Sequence, residues 1–417
     1  MARFFSVKSP SVGRFGSSVR NVAPSLGVVF TLVGFVACAR TGLISDLDEV
    51  TDGSVLRDAR TDRTVNEDAE VVKPKSCVPG DFAFDRASSQ VLFVIDRSGS
   101  MRFSLDGTQQ SPPDSQSRWR TLQRALTPLL RGLESSTSQG ATFFPGPQDD
   151  LDPEATACLV PTSVAVPASL NSAQPILDVF NRSEPRGGTP TAEAVRAAAG
   201  FLSAAERRYV ARFLVIATDG APNCNANNPV DPRFCVCTSA DPRACTQALD
   251  VQNCLDADNT VQAIDDALKN VKVPSYVIGI GSSNQGAFEA TLDRMAEAGG
   301  RAKPQTPKYL QATTEAELNI ALDTIRSAVS KCVFVTPSRP DDADAIVVNV
   351  NGVSVSRDTT RTNGWDWLDQ EYGALSFYGA ACEAITAASA VGGTVTCRDA
   401  GSGADATVDA SVEETGP

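Results

Sequence analysis

Three short segments concentrate the oxygen-bearing side chains that hard cations take as ligands: Asp96-Arg97-Ser98-Gly99-Ser100-Met101, Gly187-Gly188-Thr189-Pro190-Thr191 and Ala217-Thr218-Asp219-Gly220. Carboxylate and hydroxyl oxygens suit Mg²⁺, which demands octahedral geometry at about 2.1 Å and keeps several waters. Each segment taken singly has a plainer reading. Asp and Ser favour solvated turns and helix caps. Asp219-Gly220 is a common turn pair, and Gly187-Gly188-Thr189 reads as a bend leading into an N-cap. Composition narrows the other chemistry available. The 417 residues include no His, which removes Ser-His-Asp and Cys-His nucleophile systems and the common His-bearing zinc sites. There is no G-x-x-x-x-G-K-[ST] phosphate loop and no internal repeat. We expect a binding protein, not an enzyme.

The elements around these segments give them a common setting. From Gln90 onward apolar runs alternate with amphipathic stretches, the pattern of an α/β domain with a mainly parallel sheet. Strands are predicted at 90–96, 141–144, 212–218, 275–281 and 308–312, because buried parallel strands are runs of Val, Ile, Leu and Phe. Helices are predicted at 118–133, 191–202, 260–270, 287–298 and 315–330. The last carries a stripe of Ala316, Leu318, Ile320, Leu322, Ile325 and Val329. Two of the oxygen-rich segments then sit at the carboxyl ends of strands, where open α/β sheets bind ligands. The third opens a helix beside them.

Taken together, in this order, the segments resemble the signature of von Willebrand factor A domains. The run QVLFVIDRSGSM is similar to the family's opening strand, whose D-x-S-x-S forms a metal ion-dependent adhesion site, and the resemblance covers about residues 88–331. It implies an α/β fold with a doubly wound, mainly parallel sheet flanked by helices. It also implies a divalent cation, Mg²⁺ or in its place Mn²⁺ or Ca²⁺. Ser98, Ser100 and Thr189 would supply hydroxyls, with Asp96 and Asp219 acting directly or through water. Thr189 aligns best with the family pattern, and Thr191 reads as the N-cap of the helix that follows. Only two carboxylates then face a doubly charged ion. The site stays electrophilic, and an Asp or Glu from a protein or surface partner completes the shell as a charge-assisted ligand. The function implied is adhesion or partner binding; the alternative is an envelope scaffold in which the metal only stabilises the loops.

The rest of the chain reads as an exported protein. Arg3, Lys8, Arg14 and Arg20 precede the 12-residue apolar run 26–37, which has the length of a signal core and is too short to span a bilayer. Phe35-Val36-Ala37-Cys38 resembles a bacterial lipobox. That implies a lipid anchor on Cys38 in the outer membrane or at the cell surface, with an ordinary secretory signal and a periplasmic or secreted protein as the alternative. Setting Cys38 aside leaves ten of the 11 cysteines: Cys77, Cys158, Cys224, Cys235, Cys237, Cys245, Cys254, Cys332, Cys382 and Cys397. This even set can close five bridges in an oxidising compartment. A metal cluster within 224–254 is the rival, although its spacings lack the paired C-x2-C of zinc ribbons. A net charge of −13 leaves no basic footprint for nucleic acid.

The expected organisation is a signal peptide over 1–38, a disordered acidic tether over 39–76, and the α/β domain over 77–331 with a Cys-rich insertion at 221–259. A small disulfide-stapled β-rich module follows over 332–397, then a disordered tail over 398–417. Trp365, Trp367, Tyr372, Phe377 and Tyr378 are expected in the core of that module, not on a carbohydrate-stacking surface. The pairs Arg118/Arg120 and Arg207/Arg208 are expected on solvated helix faces.

Overall fold

The computed structural model describes residues 77–397, except 148–149, 153–155, 205–210, 240, 282–285 and 387. The signal segment with Cys38, the tether, the tail and the pair Arg207/Arg208 lie outside the described residues. The described chain enters through β1 (Gly80–Ala83) and β2 (Asp85–Arg86) before β3 (Ser89–Asp96). There follow α1 (Arg118–Leu133), β4 (Thr137–Phe144), β5 (Val166–Ser169), α2 (Ala173–Arg182), α3 (Thr191–Ala204), β6 (Ala211–Thr218), α4 (Ala257–Val271), β7 (Ser275–Ile280), α5 (Gly286–Ala298), β8 (Leu310–Ala312) and α6 (Glu315–Lys331). The remainder supplies β9 (Val333–Val335), β10 (Ile346–Val350), β11 (Val353–Val355), β12 (Gly364–Asp369), β13 (Ala374–Tyr378), α7 (Gly379–Glu383) and β14 (Val391–Val395).

The central sheet runs β5-β4-β3-β6-β7-β8. β5 is antiparallel to β4, and the other pairings are parallel. Side chains alternate across a strand. On β3, Val91, Phe93 and Ile95 therefore join the core packed by α1, α2 and α6, while Leu92 and Val94 join the core packed by α3, α4 and α5. Burial on both faces favours an apolar run, and Val91–Ile95 supply one between the polar ends of this strand. The architecture is the doubly wound, mainly parallel sheet expected. From β3 the chain turns to one side to form β4 and returns on the other side as β6. Strand order thus reverses between β3 and β6, and their carboxyl ends border the crevice where such sheets take ligands.

Two elements of the α/β half had no prediction. β5 is a four-residue edge strand containing Pro167, too short to show a period. By contrast, α2 buries Ala173, Ile176, Leu177 and Phe180 at helical spacing, a signal the sequence analysis passed over. Two members of the expected stripe of α6, Ala316 and Ile320, are exposed and fall outside it, and Ile320 is the larger departure. It lies about 200° around the helix from Leu318 and is 67% exposed, whereas Leu318, Leu322, Ile325 and Val329 are buried.

The domain boundary also differs from expectation. Two four-stranded sheets, β1-β14-β10-β11 and β12-β13-β9-β2, enclose one core that includes Phe334, Val348, Trp365, Trp367, Phe377 and Val395. β1 pairs with β14 and β2 with β9. Residues 80–86 therefore belong to the β module, and the α/β half is an insertion within it. Strands of four and two residues are too short to show a period, which is why their partnership was not legible. Trp365 and Trp367 stack edge to face with centroids 5.4 Å apart, and their indole N–H groups donate to Val355 O and Ala343 O, so they are core residues. Tyr372 is only half-buried.

All ten cysteines pair, as Cys77–Cys397, Cys158–Cys224, Cys235–Cys254, Cys237–Cys245 and Cys332–Cys382. The sulfurs of Cys235, Cys245 and Cys254 lie within 4.8 Å of one another, but each is consumed by a bridge. Among the described residues no helix is long and apolar enough to cross a membrane. Cys77–Cys397 fastens the two ends of the β module. Replacing both by Ser should lower stability by about 2–4 kcal/mol, measured by urea denaturation followed through tryptophan fluorescence. An unchanged midpoint would show that strand pairing alone holds these ends.

Candidate metal centre

Asp96 is the last residue of β3 and is fully buried. Its Oδ1 accepts the Ser98 N–H at 2.7 Å, and its Oδ2 accepts the hydroxyl of Thr218 at 2.7 Å. The second bond follows from register: Ile95 pairs with Ala217 in the parallel ladder, so Asp96 emerges beside Thr218. Immediately after β3 the chain makes a short 3₁₀ turn, Gly99–Arg102, anchored by the buried Met101. This turn brings the Ser98 and Ser100 hydroxyls to 3.1 Å from each other. Ser98 is buried and Ser100 half-buried.

The Gly187–Thr189 segment is held against this turn. Gly99 N–H donates to Gly187 O at 3.0 Å, and Arg186 N–H donates to Arg97 O at 2.9 Å. Thr189 N–H donates to the Asn223 side-chain oxygen at 2.7 Å, while Asn223 N–H donates back to Thr189 O at 2.9 Å. On the other flank, Gly188 N–H donates to Ala157 O at 2.9 Å. The Cys158–Cys224 bridge closes over Gly188, where a Cβ would lie 2.5 Å from the Cys224 sulfur. Only glycine fits there. Asn223 thus positions Thr189 from within the Cys-rich insertion, a role the sequence analysis missed. Its adjacency to a bridged cysteine was the available signal. Thr191 is the first residue of α3, and its N–H and hydroxyl both point back to Thr189 O, at 2.8 and 3.4 Å.

Asp219 follows β6. Its Oδ2 lies 2.8 Å from Arg118 Nη1, and the two side chains are 3% and 8% exposed. This overturns the expectation of a solvated Arg118. Ser117 caps α1 by accepting the Arg120 N–H, and Arg118 N–H donates to Phe103 O. The first turn of the helix therefore faces the crevice, outside the amphipathic rule that governs its middle. Arg118 Nε also donates to Ser104 O at 3.2 Å. Arg120 pairs with Asp114 in a more exposed setting, at 2.9 Å.

Burial pushes the Asp96 carboxyl up to about 7, and the negative charge of Asp219 adds to the rise. The hydrogen bonds from Thr218 and Ser98 oppose it. Two carboxylates therefore press on each other in a water-poor crevice lined by hydroxyls. The donor set is all oxygen and carries excess negative charge, which fits a hard divalent cation such as Mg²⁺, Mn²⁺ or Ca²⁺ and does not fit a soft one.

No protein-family model matches the chain, and no curated protein matches it. Similar solved structures include the PilB minor pilin from Streptococcus sanguinis, at 18% identity and TM-score 0.42, covering 59% of this chain and 62% of the pilin. The chain thus spans less than two thirds of that pilin. The vWF domain of the type V pili tip protein Mfa5 from Porphyromonas gingivalis is similar at 13% identity and TM-score 0.37, covering 58% of this chain and 95% of that domain. Manganese-loaded Plasmodium vivax TRAP protein is similar at 12% identity and TM-score 0.37, covering 70% and 90%.

Because the Asp96 carboxyl is raised in the folded state, its contribution to stability is present below the unfolded value and is lost as pH rises through about 7. A cation held beside Asp96 would take the place of that proton at high pH and compete with it at low pH. Excess Mg²⁺ should raise the melting temperature more at about pH 8 than at about pH 5. Equal shifts would disconnect Asp96 from the ion. Gly188→Ala should displace Thr189 and weaken Mn²⁺ binding by about tenfold or more, measured by the free-ion paramagnetic signal. Unaltered affinity would remove Thr189 from the ligand set.

Proposed function

We propose that the chain is an exported von Willebrand factor A-type protein that holds a divalent cation and grips a partner through it. Asp96, Ser98, Ser100, Thr189 and Asp219 would hold the ion. The carrying observation is convergence: Thr218 reaches Asp96 across 122 residues of sequence, and Gly99 reaches Gly187, so three remote segments share one buried crevice.

Arg118 sets the charge of that crevice. Two carboxylates and one guanidinium leave a single net negative charge, so with a divalent ion bound the centre becomes net positive. A bound cation would supply Lewis acidity and positive charge for an incoming carboxylate. The side chains of this chain do the rest: Arg118 fixes one oxygen of Asp219, Thr218 and Ser98 fix Asp96, and Asn223 fixes Thr189. The partner this suits is a protein or surface ligand offering an Asp or Glu. Its capture needs no turnover, in keeping with a sequence without His. Five disulfides support export. Anchoring through a lipid on Cys38, at the outer membrane or cell surface, completes the proposal.

Immobilised protein should retain a ligand from the native cell envelope in Mg²⁺ and release it on chelation, while Asp96→Ala retains none and melts cooperatively. Retention that survives both treatments would sink the adhesive reading. Arg118→Met removes a positive charge from the side of Asp219 and should tighten Mn²⁺ binding by about tenfold or more. A folded variant with unchanged affinity would reduce Arg118 to packing.

A further inference from the structure

A cavity of about 580 Å³ lies between the α/β half and the β module. It is bordered by Tyr276 at the amino end of β7, whereas the metal centre lies at the carboxyl ends of the strands. In its wall stands Arg301, just beyond α5. The guanidinium carbon lies 4.7 Å from the ring centroid of Tyr378, 5.2 Å from that of Phe213 and 5.4 Å from that of Tyr276. Nη1 and Nη2 donate to one neutral acceptor, Ser376 Oγ, at 3.3 and 3.4 Å, and Nε has no partner.

Arg118 provides the contrast within the same molecule: that more deeply buried guanidinium meets a carboxylate at 2.8 Å. Among the described residues the hydrogen-bond and ring partners of the half-buried Arg301 include no carboxylate. A cation held among rings with one weak acceptor is poorly compensated for its lost water. Tyr378 is 6% exposed, and its buried hydroxyl has no partner. Lys303 and Lys331 add positive charge to the wall. Of the acids there, Asp323 is already paired with Arg326, leaving Glu383 against them. In a chain of net charge −13 this is a local inversion of sign. Tyr276, Leu310, Phe377 and Ile385 give the wall an apolar stretch among hydroxyl side chains, and Ile320, which stands outside the buried stripe of α6, adds to it.

We infer that this cavity binds a small organic anion, a carboxylate carried on a flat apolar body. The carboxylate pairs with Arg301 and takes the Tyr378 hydroxyl, and the body lies against the aromatic and aliphatic wall. This is independent of the metal centre. Calorimetric titration of the full chain with 2-naphthoate, and with 2-naphthylmethanol as its uncharged counterpart, tests it. Naphthoate should bind, and the alcohol should bind at least about tenfold more weakly. Arg301→Met should erase that difference. Should Arg301→Met fail to fold, Tyr378→Phe deletes one hydroxyl and should weaken naphthoate several-fold with little change in melting temperature. Saturating EDTA should leave naphthoate binding unchanged. No binding by the wild type, equal binding of both probes, or unaltered discrimination in the folded variants would each overturn the inference.

Discussion

Asp96 and Asp219 stand at the ends of neighbouring parallel strands, and the register of β3 on β6 forces their carboxylates together out of water. Each charge disfavours the other, and the loops around the crevice are arranged about that repulsion. Thr218 and Ser98 donate to Asp96, Arg118 donates to Asp219, and the serine turn is pinned to the Gly187 carbonyl. Buried ion pairs of the Arg118–Asp219 type lose about 3–5 kcal/mol when one partner is removed, because the survivor is left uncompensated.

The Cys-rich insertion takes its meaning from this crowding. A loop that holds Thr189 beside a charged crevice needs rigidity that few apolar contacts provide. Here two backbone clamps and a disulfide closing over Gly188 provide it. The paired bridges Cys235–Cys254 and Cys237–Cys245 then stiffen the insertion, which has little core of its own. Apart from Asn223, which holds Thr189, side-chain oxygens here serve local turns: Asn228, Asp231 and Asp241 each accept a local backbone N–H.

Much of this was legible before any coordinates. β3, β6 and β7 announce themselves by the apolar runs that burial on both faces favours, whereas the buried β4 opens Thr-Ser-Gln-Gly and only its second half was legible. α3 and α6 announce themselves because a helix over a sheet is striped. The three oxygen-rich segments could be ordered and assigned to strand ends for the same reason. What escaped detection depends on pairing across long sequence distances. Arg118 looks like any surface cation until Asp219, 101 residues later, is folded against it. Asn223 is an ordinary loop residue until Thr189 meets it. β1 and β2 are too short for a period, and only β14 and β9 define them. Local composition speaks for elements, and it is silent on which remote group completes them.

The insertion of the α/β half within the β module orders the birth of the molecule. As the chain emerges from its amino end, β1 appears first, yet its partner β14 comes some three hundred residues later, and Cys77 must wait equally long for Cys397. The intervening α/β half finds most of its partners between neighbouring elements, and contacts of short sequence separation close sooner than distant ones. The module met first is therefore the last to close, and until then β1 presents an unpaired edge. The seam that β1 opens waits for β14 to sew it.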